Sequence, residues 1–169
     1  MKFQISLLTL AAAAALAVAP GVQAKTFKWA SQGEIATWDI HYQNNALQNG
    51  LHANVYESLV YYNSKIFELE PVLATSWKEV SPTQVRFNLR KDVKFSDGTP
   101  FTADDAVFSL SRAMAKTSNF TPYIQGIDKV VKVDNHTVDV MLKGPNPVLL
   151  RQMTELRMMS KAWAEKNKS

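Results

Sequence analysis

The feature that most constrains the fold is a strand, a tight turn and a capped helix that follow one another between residues 85 and 114. At residues 85–90, apolar residues alternate with polar or basic ones, which is typical of a strand that buries one face. The apolar positions are Val85, Phe87 and Leu89. Gly98 predicts a turn at residues 96–99, because glycine adopts positive φ without a Cβ clash. Thr102 predicts the N-cap of a helix that begins at Ala103. The fold must therefore combine sheet and helix.

Similar patterns surround this segment. Two strand-like segments, residues 128–133 and 137–142, flank the turn residues Asp134-Asn135, which predicts a β-hairpin. A spacing of four between apolar residues predicts one amphipathic helix. Its stripe is Leu47, Leu51, Val55 and Leu59. Hairpins without strict strand–helix–strand alternation indicate an α+β fold with a mixed sheet and packed helices.

The first 24 residues have the organisation of a secretory signal peptide. Lys2 precedes an apolar run from Leu7 to Val18, and Val-Gln-Ala ends at Ala24. The run is shorter than the about 20 residues that span a membrane, which favours a cleaved signal over an uncleaved anchor. We expect export, with cleavage after Ala24.

Charge and cysteine content narrow the functional classes. The formal net charge is +4, and removal of Lys2 with the signal peptide lowers it by one, to +3. No dense basic run exists, so the sequence lacks the electrostatic footprint of a nucleic-acid-binding protein. The chain has no cysteine, so an exported form must be stabilised by its core without disulfides.

No residue pattern indicates catalysis or a bound metal. His41, His52 and His136 lack the local spacing of metal ligands. No Gly-x-Ser-x-Gly motif frames a serine, and no glycine-rich phosphate loop occurs. Asp104 and Asp105 are adjacent, so on a helix they point about 100° apart. We expect no enzyme activity, no catalytic residue, no metal and no cofactor.

Aromatic residues are the remaining candidates for ligand binding. Trp77 lies in a strand pattern, which favours a structural role in the core. Trp38 lies in a polar loop, where a ligand-binding role and a packing role are equally supported.

Residues 71–116 resemble the signature stretch of solute-binding protein family 5, the peptide- and nickel-type receptors of ABC importers. The matching positions are Leu73-Ala74-Thr75-Ser76-Trp77, Leu89-Arg90, Val93 to Asp105, Phe108-Ser109 and Arg112. The resemblance implies a two-lobed fold like that of periplasmic binding proteins. It also implies a periplasmic location, an ABC permease as membrane partner, and a solute that we expect to be a short peptide.

The resemblance implies a division of the chain. The expected parts are a signal peptide (1–24), the first strand and cleft loop of the first lobe (25–43), a small α+β subdomain with the family signature (44–144), and the start of the return to the first lobe (145–169). Family members are longer and have a second lobe, so we expect an N-terminal fragment of such a receptor. The alternative is a stand-alone exported α+β domain with a partner-binding role.

The resemblance also indicates where a solute would be contacted. The loop at residues 31–42 follows the first predicted strand and is similar to the family segment that leads toward the cleft. An acidic group there would pair with the amino terminus of a peptide, and an aromatic wall would contact its side chains. The candidate ligand-binding residues are Gln32, Glu34, Trp38 and Asp39.

Overall fold

The computed structural model describes residues 26, 28, 30, 31 and 33–167. The chain divides into two units, Met1–Gln32 and Gly33–Ser169, and the helices and strands described below belong to the second. The predicted signal peptide lies outside the described residues, and so do Phe27 and Trp29, two of the five residues of the predicted first strand at 26–30. Residues 26, 28 and 30 are described and have no strand assignment. None of the helices in the described part of the chain reaches the length and hydrophobicity of a membrane span.

Strands and short helices alternate irregularly along the second unit. In chain order they are α1 (Ala46–His52), β1 (Val60–Asn63), β2 (Glu68–Pro71), β3 (Ala74–Ser81), β4 (Gln84–Leu89), α2 (Ala103–Ala113), α3 (Thr121–Ile124), β5 (Ile127–Asp134), β6 (Thr137–Leu142), α4 (Leu149–Met153) and α5 (Lys161–Asn167).

The strands form two antiparallel sheets. β1 and β2 make a two-stranded hairpin, and the larger sheet has the order β3-β4-β6-β5. The central pair, β4 and β6, joins segments that are distant in sequence, with Phe87 opposite Val138. The predicted hairpin at Asp134-Asn135 is confirmed as the connection between β5 and β6. The mixed architecture confirms the predicted α+β class.

One face of the larger sheet and the inner face of α2 form the hydrophobic core. Its central members are Val85, Phe87, Leu89, Val138, Val140, Ala106 and Leu110, and all are almost completely buried. The period-2 pattern of β4 therefore fulfils its prediction, because alternate side chains of a strand point to the same face.

The N-terminus of α2 is capped as predicted. Asp104 N donates to the hydroxyl of Thr102, and the carboxylate of Asp105 accepts from Thr102 N at 2.9 Å, which completes a capping box. Asp105 is buried and has a second role, because its other oxygen accepts from Lys161 N at 2.9 Å. Ser109, one turn further along, accepts from Met159 N at 2.9 Å. Helix α2 thus holds the C-terminal segment through polar side chains.

The predicted helix over Leu47–Leu59 is too long. α1 begins after its N-cap Asn45 and ends at His52. Val55 is 61% exposed, and Leu59 is buried in the core just before β1. The stripe prediction failed because the buried side chains of α1 are the polar Gln48 and His52, which bond the preceding loop.

Two smaller predictions need adjustment. Trp77 packs against the core opposite Phe87, but it is half-buried rather than fully buried. The apolar pair Met158-Met159 indicates a short strand at residues 157–159, but these residues contribute only one isolated bridge, between Arg157 and Ser58. Trp77 lies at the margin of the core, whereas Met158 and Met159 are buried without forming a strand.

Candidate functional site

The loop at residues 33–45, called here the anchored loop, is attached to the body at several points. Ile40 and His41 are 1% and 2% exposed, although they lie in a segment without strand or helix. Ile40 packs with Met159 and Ala164 in a small second core cluster. His41 O accepts from Asn119 N at 3.0 Å. The loop is therefore fixed to the body by its own buried side chains.

An ion pair between Asp39 and Arg112 of α2 is the strongest polar attachment. Both carboxylate oxygens accept from the guanidinium at 2.7 Å, in the bidentate geometry that favours arginine–carboxylate pairs. One of these oxygens also accepts from His41 N at 3.0 Å. The hydrogen bonds from Arg112 hold the pKa of Asp39 below its usual range, against the opposing effect of burial.

His41 is held uncharged between Arg112 and Phe120. Its Nδ1 lies 3.2 Å from Nη1 of Arg112, and its ring meets that of Phe120 edge-on at 5.8 Å. Because a guanidinium only donates, Nδ1 must accept and the ring proton is on Nε2. That nitrogen is buried and makes no hydrogen bond, although the backbone of Arg157 is close. Burial first, and then the charge of Arg112, lower the pKa of His41 to about 4.

Together with Tyr42, Trp38 is one of the large aromatic side chains that the anchored loop exposes to solvent. It is 53% exposed, and its ring lies 5.9 Å from that of His52, tilted by 37°. Tyr56 meets the other side of His52 at 5.8 Å and donates its hydroxyl to Trp38 O at 3.4 Å. Thr37 O accepts from Gln48 Nε2 at 3.0 Å and lies 3.2 Å from His52 Nε2. The buried polar face of α1 thus fixes the backbone on which Trp38 sits.

The sequence-predicted site residues have different environments. Trp38 and Glu34 are exposed on the anchored loop, while Gln32 lies outside the described residues. Asp39 already accepts three hydrogen bonds within the protein, so its carboxylate holds the loop in place. Among the described candidates, Glu34 is the acidic side chain that is open to solvent.

Sequence reasoning missed the residues that support the loop. The family resemblance included Arg112 but gave it no structural role. Its partner Asp39 lies 73 positions away in the sequence, so no local pattern joins the two. His52 and Gln48 were overlooked because an apolar stripe drew attention to the other face of α1. An Asp two residues before a buried His is a usable local signal, since Asp side chains often accept from backbone N–H two residues on.

The sequence of this antiparallel α+β body matches a known class of solute-binding proteins. Residues 68–169 match the model of the bacterial extracellular solute-binding proteins, family 5, middle region. The match covers more than half of the chain. The chain therefore belongs to solute-binding protein family 5.

Individual relatives agree with this assignment. The periplasmic oligopeptide-binding protein OppA of Escherichia coli K12 is 29% identical over 68% of this chain and 24% of its own length. A putative ABC transporter peptide-binding protein of Brucella ovis is 35% identical over 62% of this chain and 20% of its own length. The chain thus spans about a fifth to a quarter of the relatives it matches.

A solved structure gives the same result for the fold. The binding protein AgaA of A. tumefaciens R10, in complex with agropinic acid, superposes with a TM-score of 0.74 at 27% identity. The superposition covers 81% of this chain and 28% of AgaA. The predicted family and the periplasmic-binding-protein-like fold are confirmed.

Proposed function

We propose that this chain is the N-terminal part of the solute-binding component of an ABC importer, and that its solute is a short peptide. The observation that carries the proposal is the family match over residues 68–169. Peptides are favoured because OppA and the Brucella ovis relative are both named for peptide binding. The agropinic acid in the AgaA complex makes a small acid of this kind the alternative solute.

The anchored loop is the proposed contact site. Trp38 offers an aromatic wall on a backbone that Gln48, His52 and Tyr56 immobilise. A pre-organised aromatic group loses little conformational entropy on binding, which makes it an effective contact for apolar side chains. Glu34 is the proposed partner for the amino terminus of the peptide. Asp39 acts indirectly, through Arg112, by holding the loop.

The remaining features of the proposal come from the sequence and the family. We propose that residues 1–24 direct export and are removed, and that the protein works in the periplasm without catalysing a reaction. Residues 25–43 would form the first strand and cleft loop of the first lobe, and residues 44–144 the small subdomain. Residues 145–169 would begin the return to the first lobe. The membrane partner would be an ABC permease.

Binding by this chain alone is expected to be weak. A receptor that binds at about 1 μM has a binding free energy of roughly −8 kcal/mol. A chain that supplies about half of the contacts would retain roughly −4 kcal/mol, which corresponds to a millimolar dissociation constant. Calorimetry with a pool of di- to pentapeptides at micromolar concentration should therefore show no heat of binding.

Ligand-observed NMR tests the proposed solute class at the concentrations that this affinity requires. Saturation-transfer spectra would be recorded with millimolar tri-alanine, and separately with agropinic acid. We expect transfer to tri-alanine, with a weaker effect in a Trp38→Ala variant. Trp163→Ala, which removes a tryptophan that is 51% exposed and lies outside the anchored loop, is the matched control. Transfer to agropinic acid alone would replace the peptide assignment, and transfer to neither would favour a stand-alone domain that binds a protein partner.

A further inference from the structure

A second concave surface lies between β1, α3 and the segment that follows α4. This tyrosine–arginine groove has a volume of about 360 Å³. Its principal lining residues are Tyr61, Tyr62, Tyr123, Arg151, Glu155 and Arg157. The volume falls within the range of about 300–1,000 Å³ that small-molecule sites occupy. The groove shares no lining residue with the anchored loop.

Within residues 33–167, the two arginines of the groove have no carboxylate partner at contact distance. Of the ion pairs found in the described part of the chain, none involves Arg151 or Arg157. Arg157 is half-buried, and this burial lowers the pKa of its guanidinium, with Glu155 acting weakly in the opposite direction. A guanidinium that has lost part of its hydration without a paired anion retains a strong preference for one.

Arg151 is held in a defined orientation. Its Cζ atom lies 3.2 Å from the centroid of the Tyr62 ring, so the guanidinium packs on the aromatic face. This contact leaves the N–H donors at the edge of the guanidinium free to bind an acceptor in the plane of the group. With Glu155 as the acidic lining residue, the three charged side chains of the groove give it a net charge of +1.

We propose that the tyrosine–arginine groove binds a small organic carboxylate. The planar fork of a guanidinium matches the two oxygens of a carboxylate. The tyrosine rings supply an apolar wall for the rest of the ligand. An aromatic or similarly flat acid therefore satisfies both features, with its carboxylate on Arg157 and Arg151 and its apolar part on the tyrosines.

Benzoate and benzamide form a matched pair of probes, because they share a shape and differ in charge. Each would be titrated to millimolar concentration into the ¹⁵N-labelled chain at constant ionic strength, which keeps charge screening equal. We expect saturable amide shifts at the groove residues with benzoate and none with benzamide. Equal shifts with benzamide, or shifts located away from the groove, would overturn the proposal.

Three variants identify the groups responsible. Arg157→Gln and Arg151→Gln should each weaken benzoate binding about tenfold or more, as expected for the loss of a hydrogen bond between charged groups. Arg151 is exposed, so its variant keeps the test valid if Arg157→Gln does not fold. Arg90→Gln removes the same charge from an exposed arginine that pairs with Asp92, and it should leave binding unchanged. An equal loss in Arg90→Gln would show that only overall charge matters and would refute the site.

Discussion

The four-stranded sheet with α2 and the anchored loop are stabilised in different ways. The sheet is held by backbone pairing and by a continuous apolar core. The anchored loop has no regular structure and is held by a few side chains, chiefly Asp39 on Arg112 and the buried pair Ile40 and His41.

This difference separates a robust scaffold from a site that depends on a few contacts. Loss of one apolar group in the sheet affects the whole fold, because β4 and α2 share one core. Loss of the Asp39–Arg112 contact is expected to affect mainly the position of the anchored loop. Variants at Phe87, His41, the Asp39–Arg112 pair and Thr102 test this contrast, starting with the largest expected effect.

The largest effect is expected in the sheet. Phe87 is 0% exposed at the centre of β4, so Phe87→Ala should lower the free energy of unfolding by about 3–5 kcal/mol. Val80→Ala in β3, at a side chain that is 48% exposed, is the control and should have little effect. Chemical denaturation measures both. Similar losses in the two variants would contradict the proposed location of the core.

Acid should destabilise the loop through His41. The folded-state pKa is about 4 against an ordinary value of 6.5, so the unfolded chain binds more protons between these values. The contribution of uncharged His41 to the free energy of unfolding is therefore fully present above pH 6.5. It falls by about 3 kcal/mol as the pH drops to 4. Unfolding of the wild type and of His41→Gln, followed between pH 7 and 4, should show a shallower dependence in the variant. Parallel curves would disprove the role of His41.

The Asp39–Arg112 pair should show a coupling free energy of about 1 kcal/mol, since both side chains retain contact with solvent that screens them. A double-mutant cycle with Asp39→Asn and Arg112→Gln measures it. Amide hydrogen exchange should also speed up at residues 37–43 while the β4 and β6 amides remain protected. The same cycle on the exposed pair Arg90 and Asp92 should give a smaller coupling. A coupling no larger than that of the exposed pair would mean that other contacts hold the loop.

An effect of similar size is expected at the helix cap. Thr102→Ala removes the hydroxyl that accepts from Asp104 N and should cost about 1 kcal/mol. Thr102→Ser keeps a capping hydroxyl and should retain most of the stability. Equal losses in both variants would assign the effect to the methyl group instead of the cap.

The same contrast explains what the sequence could predict. The strands, hairpin and cap of the scaffold follow from local patterns such as the alternation in β4 and the Thr102 cap, because their causes lie within a few residues. The loop depends on pairs that are distant in sequence, such as Asp39 with Arg112, and no local period reveals them. The apolar stripe that includes Val55 misled the prediction, because α1 ends at His52 and its buried side chains are Gln48 and His52, which bond to the loop.

Protein-observed NMR tests the central claim that the anchored loop contacts the solute. Tri-alanine would be titrated to millimolar concentration into the ¹⁵N-labelled chain, with N-acetylated tri-alanine as the control for the amino terminus. We predict saturable shifts at the amides of residues 33–42 and at the indole N–H of Trp38, with weaker binding of the acetylated peptide. Shifts confined to the hairpin turn at Asp134-Asn135, with the anchored loop unchanged, would contradict the account.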